Sequence, residues 1–348
     1  MADKNHPNGI PATMRALELR SYEGAEDSLA LVERPVPRPG KGEVLVRVAA
    51  SPVNPSDLMF LRGMYVRKKL PVVPGFECSG EVMARGGGGG LLARYLVGKR
   101  VSCGAPMDGD GTWAEYMVTS ANLCIPLLKT TDTEQAASLI VNPFTAWALL
   151  DGAVRGGARA VAQTAAASAL GRMMVRLAAR RRVPLVNVVR RAEQVELLES
   201  EGAEHVLNSG DADFEERLRE LCRRLGVTAA FDAVAGEMTG MLLRAMPDGG
   251  RVVVYGALSQ EPCAADPRSL IFESKRVEGF WLSRWLRSAN FLRRVVTARQ
   301  VQKLLGSDLK TEVRARLPLE KAAAGLREYA GEMTGGKILL VPGMKQPG

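Results

Sequence analysis

The sequence is poor in residues that bind zinc, and this scarcity limits the chemistry it can perform. It has only two histidines, His6 and His205, in 348 residues. Its five cysteines lie at positions 78, 103, 124, 222 and 263, so it contains no C-x-x-C pair. Zinc sites need three or four Cys, His or carboxylate ligands that converge on the metal. We therefore expect no metal site, and the scattered cysteines indicate no disulfide framework.

Long apolar runs are also absent, because Arg or Lys interrupts every stretch that approaches the length of a membrane span. The residues before Met14 contain neither the apolar core of a secretory signal nor an acid-free presequence rich in Arg and Ser. Hydrophobic residues make up 46% of the chain and charged residues 24%, which is typical of folded domains. The sequence thus predicts a folded, cytoplasmic protein with no membrane partner.

Positive charge is concentrated towards the C-terminus. The formal net charge is +9, and residues 288–348 hold 11 basic against 5 acidic residues. Such a segment suits nucleic acid, a membrane surface, an anionic ligand or carrier, or simply a solvated face. Because the segment has no surface motif of interleaved aromatic and basic residues, we do not expect nucleic acid as a partner.

Two kinds of sequence pattern indicate two domains. From 15 to 115, short apolar stretches such as V-L-V-R-V-A-A (44–50) alternate with Pro and Gly, which is typical of an antiparallel, barrel-like domain. From about residue 134, helix and strand patterns alternate, which is typical of a parallel sheet with crossover helices. We expect domains over 1–138 and 139–287, with 288–348 returning to the first. The predicted strands of the second domain are 159–163, 185–189, 204–207, 229–234, 251–256 and 277–281, and a last strand lies at 337–341.

Five consecutive glycines occupy residues 86–90. Glycine has no side chain to restrict the backbone, so this run does not favour regular structure. We interpret it as a flexible surface turn before a strand at 98–101; a phosphate-binding loop is the alternative.

The first turn of the predicted parallel sheet suits a dinucleotide. In a doubly wound sheet the pyrophosphate lies at this turn, where small residues let backbone N–H groups approach it at a helix N-terminus. The turn here reads A-Q-T-A-A-A-S-A-L-G (162–171), with Ala at positions where the G-x-G-x-x-G fingerprint has Gly. An Ala-rich helix start within an ordinary core is the alternative interpretation.

The end of the second strand indicates which dinucleotide is used. An NAD site has Asp or Glu there for the ribose 2′-hydroxyl, whereas an NADP site has a cation for the 2′-phosphate. Here L-V-N-V-V-R-R (185–191) places Arg190 and Arg191 at this end. We infer NADPH; the alternative is that both arginines are only surface charge.

Several segments are similar to those of a known family. They include V-N-P-S-D-L-M-F-L-R-G-M-Y (53–65), V-N-P-F-T-A-W (141–147) and S-L-I-F-E-S-K-R-V-E-G-F-W-L-S-R-W (269–285). On these segments the chain resembles the zinc-free medium-chain dehydrogenase/reductase superfamily, and within it the mitochondrial-type 2-enoyl thioester reductases. The resemblance runs from Met14 to Val341.

This resemblance implies a fold and a reaction. The fold would be α/β, with a GroES-like β-barrel catalytic domain and a Rossmann domain built on a doubly wound, parallel, six-stranded sheet. The reaction would be the NADPH-dependent reduction of the C2=C3 double bond of 2-enoyl thioesters of coenzyme A or an acyl carrier protein, within fatty acid metabolism. A homodimer is implied as well.

The resemblance also assigns roles to single residues. Tyr65 matches the catalytic tyrosine, Asn142 a residue that helps to seat the nicotinamide, and Lys337 a late cofactor contact. The other cofactor-binding positions that it implies are Ala167, Ser168, Ala169 and Leu170 at the pyrophosphate turn, Arg190 and Arg191 at the 2′-phosphate, and Tyr255, Gly256, Ala257, Leu258, Phe280, Trp281 and Leu282 near the nicotinamide and acyl pocket.

A phenol suits the implied reaction, which needs hydride at Cβ, stabilisation of the enolate oxygen and a proton at Cα. A phenol near the thioester oxygen stabilises the developing charge and supplies the proton directly or through water. Tyr65 has this chemistry, whereas Asp57 is interpreted as part of a capped turn that opens a short helix. The alternative function is an NADPH:quinone oxidoreductase, which needs no proton-donating tyrosine.

Overall fold

The computed structural model describes residues 9–88, 90–331 and 334–344. The chain divides into two compact units: unit 1 comprises 1–141 and 298–348, and unit 2 comprises 142–297. The sequence predicts boundaries after 138 and 287 instead. The observed boundary between 297 and 298 falls inside a single helix, Phe291–Leu304. No Pro or Gly interrupts this helix, so the sequence has no signal for a boundary at that point.

The secondary-structure elements are numbered in chain order. The strands are β1 (Thr13–Leu19), β2 (Leu29–Pro35), β3 (Glu43–Pro52), β4 (Glu77–Arg85), β5 (Arg100–Gly104), β6 (Tyr116–Ser120), β7 (Cys124–Pro126), β8 (Ala160–Gln163), β9 (Leu185–Val189), β10 (His205–Asn208), β11 (Val227–Asp232), β12 (Arg251–Val254), β13 (Arg276–Gly279), β14 (Val313–Leu317) and β15 (Lys337–Leu340). The helices are α1 (Pro55–Leu61), α2 (Leu91–Leu96), α3 (Thr133–Ala137), α4 (Asn142–Arg155), α5 (Ala169–Arg181), α6 (Ala192–Ser200), α7 (Phe214–Leu225), α8 (Glu237–Ala245), α9 (Pro267–Ile271), α10 (Leu282–Ser288), α11 (Phe291–Leu304) and α12 (Ala322–Gly331). In these ranges no helix has both the length and the apolar composition needed to cross a membrane.

Unit 1 is built around the long strand β3. It pairs antiparallel with β4 on one side and with β6 and β15 on the other, in a sheet of order β14-β15-β3-β4-β5-β7. Successive side chains of a strand point to opposite faces. Accordingly Val44 and Val46 join one buried cluster, whereas Leu45 joins another that contains Trp113. Strand β3 is therefore covered on both faces, which explains its nearly continuous apolar sequence.

Unit 2 contains the predicted doubly wound sheet. Its six strands are all parallel and run in the order β10-β9-β8-β11-β12-β13. Numbered along the chain within this unit, the order is 3-2-1-4-5-6, which is the Rossmann arrangement. The prediction of a six-stranded parallel sheet is confirmed.

Local sequence accounts for the helices of unit 2, as α7 shows. Its apolar residues Phe214, Leu218, Leu221 and Cys222 recur at helical spacing and are all buried. The acidic first turn and basic last turn suit the helix dipole. Gly226 ends the helix with φ 67°, a left-handed conformation that favours glycine.

The glycine run differs in part from its prediction. Gly87 and Gly88 form a turn as expected, and Gly89 lies outside the described residues. Gly86 packs closely: a Cβ there would lie 1.7 Å from the Gly40 carbonyl oxygen, and its N–H donates to Glu43 O at 3.0 Å. Glycine is thus required at 86 for a close backbone contact, and the run is followed by α2, which the sequence does not predict.

Gly171 fixes how α5 meets the turn after β8. A Cβ at this position would lie 2.3 Å from the backbone oxygen of Ala166. Because the obstructing atom belongs to the backbone, it cannot move aside as the end of a flexible side chain can. Only glycine therefore lets α5 begin this close to the end of β8. The third glycine of nucleotide-binding turns allows the same close packing of helix and strand.

We expect Gly171→Ala to lower the free energy of unfolding by roughly 1–3 kcal/mol, the usual cost of overpacking. The matched control is Gly152→Ala, in the last turn of α4, where an added Cβ meets nothing within 4 Å. Alanine there should be neutral or stabilising by up to about 1 kcal/mol. Urea unfolding measures both, and equal effects of the two substitutions would contradict the close-packing explanation.

Candidate active site

The N-P-S-D segment forms a capped turn at the start of α1. Asn54 is the N-cap residue and Pro55 the first helical residue, where its missing N–H has no intrahelical partner to lose. The backbone N–H of Asn54 donates to Asp57 Oδ2 at 2.8 Å. The structural role predicted for Asp57 is therefore confirmed.

Tyr65 follows α1 in a loop of unit 1 and is 41% exposed. Gly63 has φ 66° and Met64 N–H donates to Met59 O at 2.9 Å, so the chain turns sharply at the end of the helix. The Tyr65 ring packs edge-on against Phe76, with centroids 5.4 Å apart. The phenol thus packs against a partly buried aromatic ring, while part of its own surface remains accessible to a ligand.

The loop beyond Tyr65 is held by polar contacts. Lys68 N–H donates to Tyr22 Oη at 2.7 Å, and the Tyr22 hydroxyl donates to Lys68 O at 3.0 Å. Lys68 Nζ donates to the carbonyls of Pro106 and Gly109, and burial lowers the pKa of this lysine. These bonds order the segment that carries Tyr65.

A cluster of buried polar groups lies behind the capped turn. Asn54 Nδ2 donates to Glu77 Oε1 at 3.0 Å, and Lys337 Nζ donates to Asn54 Oδ1 and to Val53 O. Asn54, Asp57, Glu77 and Lys337 have no exposed surface. Burial raises the pKa of Asp57 to about 7, raises that of Glu77 and lowers that of Lys337 to about 8.

The position of Lys337 bears on its predicted role. The resemblance makes it a cofactor contact, whereas here its ammonium group bonds to the turn residues Val53 and Asn54 of unit 1. Its charge interacts with Glu77 and Asp57. A contact of Lys337 with the cofactor remains a prediction, and the structure gives this lysine a place in the buried cluster.

In unit 2, the turn after β8 has the features of an anion site. Ala166 and Ala167 are buried, and the side chain of Ser168 caps α5 by accepting the Gly171 N–H at 3.1 Å. Small residues at the N-terminus of a 13-residue helix leave backbone N–H groups facing the switch point of the sheet. The pyrophosphate turn predicted at 167–170 therefore lies where such a site requires.

Asp232, at the end of β11, organises the neighbouring turn. Its Oδ1 accepts the Thr164 hydroxyl at 2.8 Å and the Val234 N–H at 2.9 Å, and its Oδ2 accepts the Thr239 hydroxyl at 2.7 Å. Asp232 and Thr164 are fully buried. The sequence did not predict this group; the signal that could have indicated it is an acidic residue at the end of a buried strand, followed by Ala-Val-Ala-Gly.

The segment after β12 lies against the segment after β11. A Cβ at Gly256 would lie 2.8 Å from Ala233 O, and Leu258 N–H donates to the same carbonyl at 3.0 Å. The Tyr255 hydroxyl is buried and has no hydrogen-bond partner among the described residues, and burial beside Asp232 raises the pKa of Tyr255. An unpaired buried donor at this edge is available to a polar group of a ligand.

Arg190 and Arg191 follow β9 directly, and both are exposed. In the part of the chain that the structure describes, neither guanidinium group pairs with a carboxylate. Arg190 N–H donates to the side chain of Gln194 at 3.1 Å, and Arg191 is the N-cap residue of α6. Two cations with no carboxylate partner in the described ranges thus lie beside the start of a helix, which suits a phosphate.

The remaining predicted residues lie at two places in unit 2. Asn142 is the first residue of α4 and is 7% exposed. Phe280, Trp281 and Leu282 follow β13, and Phe280 N–H donates to Val254 O at 2.8 Å. These residues follow the carboxyl ends of parallel strands, which lie at the same edge of the sheet. The residues that the structure brings together there are 167–170, 190–191, 255–258 and 280–282.

These features fit a nicotinamide dinucleotide. Three sites lie along one edge of the sheet. The small-residue turn at α5 suits a pyrophosphate, the unpaired Tyr255 hydroxyl suits a polar head group, and the two arginines after β9 suit a ribose phosphate. Among the described residues, no group of three or more His, Cys, Asp or Glu side chains is arranged to hold a metal ion. The fold and this edge define an oxidoreductase of the two-domain, nicotinamide-dependent class.

Comparison with known proteins identifies the family. Residues 40–129 match the alcohol dehydrogenase GroES-like domain, and residues 169–297 match the zinc-binding dehydrogenase domain. The chain is 32% identical to the mitochondrial enoyl-[acyl-carrier-protein] reductase of Arabidopsis thaliana over 278 residues, which cover 76% of this chain and 71% of that protein. The chain belongs to the medium-chain dehydrogenase/reductase superfamily, as its sequence segments indicate.

Solved structures of this superfamily are similar over nearly the whole chain. One is a protein from Mesorhizobium loti with the provisional description NADPH:quinone reductase, at 36% identity and TM-score 0.87, covering 96% of this chain and 99% of that one. Another is a mycobacterial protein in complex with NADPH, at 27% identity and TM-score 0.80, covering 94% and 100%. The GroES-like and Rossmann domains predicted from the sequence are confirmed, and the chain is an oxidoreductase of the NAD(P)-dependent type.

The raised pKa of Asp57 predicts a pH dependence of stability. Its carboxyl group binds a proton more tightly in the folded protein, at a pKa of about 7, than at its ordinary value of 3.8. This contribution to stability is therefore complete below the lower value and is lost as the pH rises through the higher one. Relative to Asp57→Asn, which does not titrate, the free energy of unfolding of the wild type should fall across this window.

Denaturant unfolding at a series of pH values measures this difference. The control is Asp248→Asn, which removes an exposed carboxyl group. If the difference between wild type and variant changes with pH in the same way for both substitutions, the explanation by burial is wrong.

Proposed function

We propose that this protein reduces the C2=C3 double bond of 2-enoyl thioesters with NADPH, the acyl group being carried by coenzyme A or an acyl carrier protein. The observation that carries the proposal is Tyr65, in the loop after α1. Its phenol is 41% exposed and its ring packs edge-on against Phe76. The similarity to mitochondrial enoyl-[acyl-carrier-protein] reductases supports it.

The chain's own groups perform the acid–base part of this reaction. NADPH, when bound, supplies the hydride that reaches Cβ. The Tyr65 hydroxyl donates a hydrogen bond to the thioester oxygen and stabilises the negative charge that develops there. It then delivers a proton to Cα, directly or through one water, which gives the saturated thioester. A phenol that is half exposed exchanges its proton with solvent between turnovers.

A second function, NADPH:quinone oxidoreductase activity, is favoured by a different observation. The Mesorhizobium loti protein is more similar to this chain, at 36% identity over nearly all of both chains, than is the Arabidopsis enoyl reductase. Hydride transfer to a quinone needs no proton donor at a carbon atom. The dependence on Tyr65 therefore separates the two functions.

We expect Tyr65→Phe to lower kcat for NADPH oxidation with a 2-enoyl-CoA by roughly a hundredfold, the usual size of a lost acid–base group. Tyr95→Phe, which removes another exposed hydroxyl of unit 1, is the control and should leave the rate unchanged. The assay compares crotonyl-CoA with a naphthoquinone for all three proteins. Faster turnover of the quinone, with no effect of Tyr65→Phe, would establish the second function instead.

We propose NADPH rather than NADH because the two exposed arginines after β9 have no carboxylate partner among the described residues. Replacing Arg190 and Arg191 together by Ala should raise the Kd for NADPH by at least about tenfold, since two charge-assisted bonds to one phosphate are removed, and leave the Kd for NADH unchanged. Arg219→Ala, on the exposed face of α7, is the control. Titration of nicotinamide fluorescence measures both constants, and equal losses for the two nucleotides would refute the assignment.

We also propose a homodimer formed through β13. Among the described residues this strand pairs only with β12, and all four of its residues are exposed. Ile271 and Phe272, just before it, are 68% and 78% exposed. An open strand edge beside exposed apolar side chains favours pairing with another strand, and a second copy of this chain offers the same edge.

The direction of the backbone groups gives a sharp test. Arg276 N–H donates to Gly250 O and Phe280 N–H to Val254 O, so by alternation the N–H of Val277 points away from β12. Val277→Pro removes that outward donor but leaves every bond to β12 in place. It should convert a dimer into a monomer in sedimentation experiments. Val277→Thr keeps the donor and should remain dimeric. A wild type that sediments as a monomer would end the proposal.

A further inference from the structure

The buried cluster of unit 1 is a chain of hydrogen bonds with a fixed direction. Lys337 Nζ has only donors, and it bonds to Asn54 Oδ1. The amide of Asn54 must therefore turn its Nδ2 group away, and this group donates to Glu77 Oε1 at 3.0 Å. Glu77 Oε2 accepts the backbone N–H groups of Ile140 and Val141, each at 2.9 Å. Glu77 thus receives donors on both of its oxygens.

The two ends of this chain belong to functionally different segments. Asn54 is the N-cap residue of α1, the helix that leads to Tyr65. Ile140 and Val141 are the last residues of unit 1 before the chain enters unit 2, and Asn142, which the resemblance places at the nicotinamide, follows them. One buried carboxylate is therefore bonded to the helix that precedes the candidate catalytic tyrosine and to the segment that leads into the nucleotide-binding unit.

We propose that Glu77 is a positioning residue, which couples the orientation of α1 and its Tyr65 loop to the backbone at 140–141. The part of this inference that concerns turnover rests on the proposed function. Glu77 does not touch the substrate. It acts through Asn54 on one side and through two backbone N–H groups on the other.

Hydrogen-bond chemistry explains why the residue must be a carboxylate. A glutamine side chain in place of Glu77 has one acceptor and one donor group. Its oxygen could accept from Ile140 and Val141, but its NH₂ group would then face the NH₂ group of Asn54. The Asn54 amide cannot reverse, because its Oδ1 is held by the donor-only Lys337. Glutamine therefore loses one of the two connections, although it matches glutamate in size and shape.

Hydrogen exchange followed by mass spectrometry tests the connection without reference to activity. In Glu77→Gln, exchange at the amides of 140–141 or at the first turn of α1 should be at least about tenfold faster, because a buried bond is lost. Glu81→Gln is the matched control, since Glu81 lies on the same strand and pairs with Arg47 at the surface. Unchanged exchange in both segments of Glu77→Gln overturns the proposal, whatever reaction the enzyme performs.

A double variant tests the direction of the bonds. Replacing Lys337 by Met in the Glu77→Gln background removes the donor that fixes Asn54, so the Asn54 amide can reverse and accept from the NH₂ group of the introduced glutamine. Slower exchange in Glu77→Gln/Lys337→Met than in Glu77→Gln supports the proposal, and equal or faster exchange contradicts it. This comparison also applies if the single variant is poorly stable, because the double variant removes the opposite charges of Glu77 and Lys337 together.

Turnover and nucleotide binding separate positioning from simple damage. With the enoyl-CoA substrate, kcat of Glu77→Gln should fall by roughly ten- to a hundredfold through misplacement of the Tyr65 loop. The Kd for NADPH should change by less than about threefold, because the pyrophosphate turn is bonded within unit 2. Faster exchange with an unchanged kcat contradicts the positioning role. A wild type that reduces no enoyl thioester refutes the proposed function, while the exchange results still judge Glu77.

Discussion

Buried polar groups must find partners inside the protein, and this constraint shapes both units. In unit 1 the carboxylate of Glu77 satisfies the N–H groups of Ile140 and Val141 and the amide of Asn54. In unit 2 the carboxylate of Asp232 binds two threonine hydroxyls and the backbone of the following turn. In each unit a single acidic side chain holds segments that are distant in sequence, and the candidate site residues lie next to those segments.

Close backbone contacts explain where the turns of unit 2 require glycine. Gly171 and Gly256 are required, because a Cβ at either would collide with backbone atoms. Ala165 and Ala235, by contrast, adopt left-handed conformations, with φ of 49° and 66°, in which glycine is unstrained and alanine costs about 1 kcal/mol. The turns of unit 2 therefore have glycine where an added Cβ would collide with backbone, and alanine at two positions where the cost is only conformational. This distinction was not visible in the sequence alone.

The superfamily does not by itself decide the reaction. The same pair of domains is found in proteins described as enoyl reductases and as quinone reductases, and both are similar to this chain over most of its length. A fold supports many chemistries, and function depends on the groups at the site. Under the proposed function the deciding group is the Tyr65 hydroxyl, because protonation at carbon needs a donor and reduction of a quinone does not. The nicotinamide-binding edge is compatible with either reaction.

The sequence by itself determined the parallel sheet, the nucleotide-binding turn, the two arginines after β9 and the capped turn before Tyr65. These are local features, set by the period of apolar residues and by the chemistry of adjacent residues. It did not indicate α2, the unit boundary inside α11 or the role of Asp232. Only the tertiary structure decided that Lys337 lies beside Asn54, 283 residues away, and that Glu77 joins them. Such contacts depend on which buried donors and acceptors meet when the chain packs, and no local pattern records that meeting.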